Sequence, residues 1–276
     1  MISLFRLFSL FPLWLLHAMG SGLGWLAFGL SPVYRRRFVA NAALAGYSFA
    51  QVRAAVAHAG RMTAELPRLW LGAPLHYEWD NAGCVEQAYE AGSGIVFLTP
   101  HLGCFEVTAQ GVAQRYSPAN GPLTVLYRPA RQAWLAQVMA RARAKPGLAT
   151  APTTLAGVRQ MIKALRAGHA VGLLPDQVPP DGMGQWAPFF GREAYTMTLG
   201  ARLALQTGAT VVLAWGERLS LGRGFRLHFR ELAQPLSGEL ETAVTQINQE
   251  MERLIRECPG QYLWGYARYK QPRKDA

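Results

Sequence analysis

A run of apolar and β-branched residues, Gly94–Thr99 (GIVFLT), leads through Pro100 into His101-Leu-Gly-Cys-Phe-Glu106. A histidine and a glutamate at this spacing can carry acid–base chemistry. On one continuous helix they would point about 140° apart. With His101 in a turn and Glu106 in the first turn of the next helix, the two can meet. Glu106 would then accept from one imidazole nitrogen and fix the tautomer. The other nitrogen would be free to take a proton from a hydroxyl. This is half of a serine-hydrolase triad, with the nucleophile supplied by a substrate, since no G-x-S-x-G elbow is present. A capped helix with an incidental histidine is the plainer reading of the same residues.

Two further apolar runs end in polar groups. Tyr127-Arg128-Pro129 closes one, and an arginine there suits a phosphate. Leu173-Leu174-Pro175-Asp176-Gln177 closes another, and Phe189-Phe190-Gly191 leads to a helix starting near Thr196. The carboxyl ends of strands are where α/β folds place sites. Three such ends would gather His101 with Glu106, Arg128, and Asp176 with Gln177 along one sheet edge. His58, His76, His169 and His228 have no acidic residue at useful spacing. Cys84, Cys104 and Cys258 lack metal-ligand spacing and read as buried thiols.

The elements that must position these groups alternate. Strands are expected at 94–99, 123–127, 170–174 and 210–215, with Phe225–Phe229 alternating like an edge strand. Helices are expected at 83–91, 104–115, 131–143, 153–167, 194–207 and 239–257. Ser48-x-x-Gln51 is a capping box opening a helix to about Leu66, stopped by Pro67. The pattern predicts a layered α/β fold, a largely parallel sheet flanked by helices. Of 276 residues 50% are hydrophobic and 16% charged, which excludes a disordered chain and allows a large core.

Ahead of this domain, His17 is the only strongly polar side chain from Leu7 to Leu30. As a helix that stretch would be roughly 36 Å long, enough to span a bilayer. Trp14 and Trp25 suit interfaces, and Gly20 and Gly24 form a GxxxG pair. The run is long for a signal peptide and no A-x-A site follows it. Tyr34-Arg35-Arg36-Arg37 places the following end in the cytoplasm. The expected division is therefore a membrane anchor at 1–30 and one globular domain at 31–276.

The chain has 28 Lys and Arg against 17 Asp and Glu, a formal +11. Residues 107–175 hold nine basic side chains and no acid, so nearly all the excess lies there. An anionic partner is implied. Nucleic acid is disfavoured, because that segment offers only Tyr116, Tyr127 and Trp134 for stacking.

Taken in order, H-x4-E after a strand, YRP, LLPDQ, PFFG before a Thr-rich helix start, and a QYLW tail resemble a known family. It is the bacterial lipid A biosynthesis acyltransferases of the lauroyl/myristoyl type, within the lysophospholipid acyltransferase superfamily. The likeness runs from the N-terminal apolar run to Lys270. It departs at Cys104 and Phe105, where the family often has Asn-Trp, and at Gly260, where it often has Glu. The resemblance implies transfer of a fatty acyl group from acyl carrier protein, or coenzyme A, to a hydroxyl of a phosphorylated glycolipid. It implies His101 as general base, Glu106 as its partner, Arg128 on acceptor phosphate, and Asp176 and Gln177 lining the site. No metal or prosthetic group is implied, and the place of action is the cytoplasmic face of the inner membrane. Three rival readings are kept: a lysophospholipid or other lipid acceptor, a hydrolase using the same pair, and a non-catalytic membrane-binding protein. The last explains the anchor and the charge but not three polar strand ends.

Overall fold

Short runs of β-branched and aromatic residues form the sheet because both of its faces are covered by helices. The computed structural model describes residues 2–127, 132, 139 and 145–273. The strands are β1 (Tyr77–Asp80), β2 (Ile95–Leu98), β3 (Leu123–Tyr127), β4 (Leu148–Pro152), β5 (Ala170–Leu173), β6 (Gly184–Phe189), β7 (Arg192–Met197), β8 (Thr210–Arg218) and β9 (Phe225–Glu231). Seven of them make one sheet in the order β1-β9-β8-β2-β5-β3-β4, and β6 and β7 form a separate hairpin. All neighbouring pairs in the large sheet are parallel except β8 with β9. The largely parallel α/β sheet read from the sequence is therefore present. Strand β2, wholly buried, is central and lies between β5 and β8.

Helices cover both faces. On one, α7 (Ala82–Glu90) and α8 (Phe105–Asn120) pack through Val85, Val107 and Val112 onto Ile95, Phe97 and Val212. On the other, α9 (Leu155–Arg166), α10 (Leu199–Thr207) and α11 (Leu240–Glu257) pack through Met161, Leu203 and Ile247 onto Val96, Leu98 and Leu213.

The structure alters several expectations. Strands β1, β4, β6 and β7 were not foreseen. Hairpin strand β7 takes 192–197, so the helix expected from 194 begins at Leu199. Strand β9 is not at the edge, because β1 pairs beyond it. The capping box at Ser48 and Gln51 forms, but the chain then runs as α4 (Phe49–Val52), α5 (Ala54–Ala64) and α6 (Leu66–Leu71). Pro67 sits in the first turn of α6, where its missing N–H costs nothing, and so does not stop a helix. The helix expected at 131–143 lies outside the described residues.

The N-terminal run is broken too. It forms α1 (Ile2–Ser9) and α2 (Leu13–Leu30), with α3 (Pro32–Leu44) following. Pro12 pushes Phe11 out of helical geometry and caps α2 in an extended conformation. Helix α2 is long and apolar enough to cross a membrane. Its inner stripe, including Leu16, His17, Gly20 and Gly24, packs on α5 and is buried. A Cβ on Gly60 of α5 would overlap the Gly20 carbonyl and the Gly24 nitrogen, so the backbones touch there.

Beneath this contact lies a buried charge cluster. Glu65 takes bonds of 3.0 and 2.6 Å from Nε and Nη2 of Arg218 at its Oε1. His17 Nε2 lies 2.9 Å from its Oε2. Burial opposes the Glu65 charge, but Arg218 and the hydrogen bonds from both partners outweigh it and hold the carboxyl at about 2. The folded value lies below the ordinary one. The stabilisation is therefore present above the usual carboxylate range and is lost as pH falls toward 2. Glu65→Gln, which leaves Arg218 buried and unpaired, should cost about 3–5 kcal/mol at neutral pH. Chemical denaturation should also show a flatter acid limb for the variant than for the wild type. An unchanged midpoint at pH 7 would contradict the role given to this cluster.

Candidate active site

The site follows from strand register. Leu98 of β2 pairs with Leu173 of β5, and each strand then leaves the sheet through a proline. His101 stands three residues beyond Leu98, and Asp176 three beyond Leu173. Parallel neighbours about 4.8 Å apart thus deliver an imidazole and a carboxylate side by side at the carboxyl edge.

Asp176 accepts twice from one residue. Its Oδ1 lies 2.7 Å from His101 Nδ1, and its Oδ2 accepts from the His101 backbone N–H at 2.9 Å. On the other side of the ring, Gln177 Nε2 lies 3.0 Å from His101 Nε2. These contacts agree on one tautomer: Nδ1–H donates to Asp176, and the Nε2 lone pair accepts from the Gln177 amide. Asp176 is buried, which alone would raise its pKa. The adjacent His101 ring, the hydrogen bonds from that ring and from the His101 backbone, and the nearby Arg268 prevail, so the carboxyl stays below its usual range.

Glu106 holds a different position from the one expected. It lies in the first turn of α8, and the Trp70 indole donates to its Oε2 at 3.2 Å. Lys145 is a further electrostatic neighbour. The hydrogen bonds described for the His101 imidazole go to Asp176 and Gln177 instead. The reason is directional. His101 extends the line of β2 toward β5, whereas Glu106 turns with α8 toward α6. Asp176 and Gln177, expected only to line the site, bracket the ring. Arg128 lies outside the described residues.

The turn that carries His101 is clamped from behind by backbone hydrogen bonds. Gly103 N–H donates to the Gln261 carbonyl at 3.0 Å, Cys104 N–H to Gly216 at 2.7 Å, and Leu263 N–H to His101 at 3.2 Å. Gly103 has φ +58°, and a Cβ there would overlap the Gly216 carbonyl, so no side chain fits. Tyr262, fully buried, faces Asp176, and burial together with that carboxylate pushes its hydroxyl far above its ordinary value. Trp264 is a core residue. A local sequence signal for the Asp176 pairing existed, since both strand ends read Leu-x-Pro before the polar residue.

Two other histidines also gain acidic partners that sequence spacing hid. His228 reaches Asp80 at 2.8 Å and Glu217 at 3.0 Å across the sheet, and His17 reaches Glu65. Neither is a described partner of the His101 imidazole, whose hydrogen bonds go to Asp176 and Gln177.

Phe105, with its ring 4.9 Å from that of His101, separates the imidazole from an apolar cavity of about 80 Å³. Phe97, Thr99, Glu106, Val125 and Leu174 line it, and Gly172 contributes no side chain. Gln110 and Leu148 also border a larger groove of about 480 Å³ beside Leu75, Tyr77 and Lys145. Lys145 donates to Leu69 O and Gln110 Oε1, and burial lowers its pKa, so its charge is used internally.

Comparison with known proteins adds an independent line. A family model described as "Bacterial lipid A biosynthesis acyltransferase" matches residues 1–271. The chain is 30% identical over 182 residues to the lipid A biosynthesis lauroyltransferase of Escherichia coli (strain K12), covering 64% of this chain and 55% of that one. It is 28% identical over 150 residues to the lipid A biosynthesis palmitoleoyltransferase of the same organism, covering 54% and 48%. A Shigella flexneri lipid A biosynthesis acyltransferase matches to the same extent. The chain thus spans about half the length of the curated relatives it matches.

The geometry predicts the resting proton position. Nitrogen NMR of labelled protein should show His101 with a proton on Nδ1 and a bare Nε2. Both Asp176 oxygens accept, and an amide can accept through only one. Asp176→Asn should therefore move population toward the other tautomer. An unchanged tautomer would mean that Asp176 does not set the ring.

Proposed function

The chain belongs to the bacterial lipid A biosynthesis acyltransferase family, and from that premise we propose that it moves a fatty acyl group onto a hydroxyl of a lipid A precursor. The observation that carries the proposal is the oriented imidazole between Asp176 and Gln177, beside an apolar cavity. The cavity's apolar lining suits a few methylenes of an acyl chain, and a neutral Nε2 suits an alcohol proton.

In the proposed reaction the acceptor hydroxyl displaces Gln177 from Nε2. His101 takes the proton as the oxygen attacks the thioester carbonyl. The new C–O bond forms, the C–S bond breaks, and the proton passes to the departing thiolate. Asp176 holds the ring and stabilises the transient imidazolium, as the carboxylate of a hydrolase triad does. The thioester brings its own activated carbonyl, so the scheme calls on no prosthetic group. Glu106, first expected to orient the base, is assigned to the cavity mouth beside Phe105. Arg128, next in sequence after Tyr127, is assigned to an acceptor phosphate, for which a bidentate guanidinium is suited.

The donor is proposed to be acyl carrier protein, with coenzyme A the alternative. Arg159, Lys163 and Arg166 lie exposed on one side of α9, in the stretch without acids, and would attract an acidic carrier. The proposed place of action is the cytoplasmic face of the inner membrane.

Purified protein with acyl carrier protein thioester and a lipid A precursor should add one acyl group, read by mass spectrometry. His101→Ala should lower turnover on the order of 10²–10⁴-fold with folding intact. Asp176→Asn should lower it more than Glu106→Gln does. If Glu106→Gln is the more damaging of the two, the carboxylate roles are reversed. Near-normal turnover by folded His101→Ala would remove the base.

Charge reversal of Arg159, Lys163 and Arg166 to Glu should raise the donor KM at low salt. The KM should converge on wild type at high salt, with kcat unchanged. Equal donor dependence at both salts would free α9 of this role.

A further inference from the structure

We propose that this protein lies on one leaflet of an anionic bilayer, with α2 in the plane of the surface rather than across it. The seat is a composite apolar face shared by α1, the outer side of α2 and the turn between β8 and β9. The proposal rests only on the membrane part of the proposed function and is independent of the acyl chemistry.

The first observation concerns what α2 would take with it. Its inner side is tied to charged groups of the globular domain along its length. His17 reaches Glu65 and, through it, Arg218 of β8. Ser21 Oγ accepts from Arg61 Nε at 2.8 Å. Gly20 and Gly24 hold α5 at backbone contact. If α2 crossed the bilayer with these contacts intact, Arg61, Glu65 and Arg218 would all enter hydrocarbon, where ionisable side chains are costly. If the contacts broke, Glu65 and Arg218 would lose their cover and α5 its glycine-lined partner. Neither outcome suits a helix docked this way.

The second observation is the opposite side. Trp14, Leu23, Leu26 and Leu30 of α2 are all more than 40% exposed, as are Leu7 and Leu10 at the end of α1. Among the described residues nothing covers this large apolar area, which is the mark of an interaction surface.

The third observation lies far away in sequence. Leu221, in the turn between β8 and β9, is 88% exposed and stands at φ +58°, a backbone region leucine rarely adopts. The next residue, Gly222, packs directly on the Trp14 backbone. A strained turn thus presents a bare leucine beside the apolar side of α2. Among the described residues no packing contact calls for that side chain.

Charge selects the occupant. Arg6 on α1 and Arg35 and Arg36 on α3 are exposed near the same elements, and Arg35 Nη1 reaches back to Gly29 O at the end of α2. Apolar side chains with tryptophans and flanking arginines fit the boundary between anionic headgroups and acyl chains.

The test uses the full chain. In co-flotation with vesicles containing phosphatidylglycerol, wild type should bind, and should bind pure phosphatidylcholine vesicles less. Leu221→Glu and Leu26→Glu should each weaken partition about tenfold or more. Leu155→Glu, an equally bare leucine on α9, should not. Thermal melts check folding, and Leu221→Ser serves if the glutamate variant does not fold. In sealed membrane vesicles with the cytoplasmic side outward, protease should remove tags from both ends of the chain. A protected N-terminal tag with a cleaved C-terminal tag would establish a crossing helix and overturn the proposal. So would vesicle binding by folded Leu221 variants equal to wild type, or no binding by the wild type.

Discussion

Strand β2 is held in register with β5, and the candidate chemistry depends on that pairing. Leu98 lies beside Leu173, and both strands leave the sheet through proline. A slip of one residue would reverse the faces of a wholly buried strand, so the register is fixed by core packing rather than by the polar groups it serves. The imidazole and its carboxylate therefore need little further ordering. Their placement is set by residues that carry no chemistry.

Around this pair the structure uses backbone more than side chains. The turn from His101 to Cys104 is bonded to β8 on one side and to the Gln261–Leu263 segment on the other. The Gln261 side-chain amide also brackets the Arg218 backbone, its oxygen accepting from the N–H at 3.0 Å and its nitrogen donating to the carbonyl at 3.1 Å. Arg218 in turn is the counter-ion of Glu65. A continuous series of short contacts therefore runs from the N-terminal helix, through a buried ion pair, to the backbone of the turn. Removing one partner would strand a charge where water cannot reach it, so the series is expected to hold or fail together.

Much of this was legible in the sequence. Strand β3 has the bounds read for it, β2, β5 and α9 lie within two residues of theirs, and α8 starts within one residue of the expected place. Their signals are local, being apolar runs followed by turn and cap residues. The strands that were missed have a different origin. Asp80 and Glu78 make β1 look like surface, and its place comes only from pairing with β9. Hairpin strand β6 contains Gly184 and Pro188, which speak against a strand interior and are tolerated because the hairpin stands outside the main sheet. In the site, His101, Asp176 and Gln177 were picked out, but the partnership was assigned to Glu106 because it was near in sequence. The actual neighbour is 75 residues away, and only the shared Leu-x-Pro endings hint at it.

The Gln177 amide on Nε2 bears on a competing fate of an activated ester. Water is always present at such a site, and hydrolysis would waste the thioester. A lone water has little to offer in exchange for a directed amide hydrogen bond. A large acceptor anchored elsewhere can impose its hydroxyl on the same nitrogen. Under the proposed mechanism the occupied lone pair would work as a threshold, with Nε2 freed for proton transfer only when an anchored hydroxyl takes the place of the Gln177 amide.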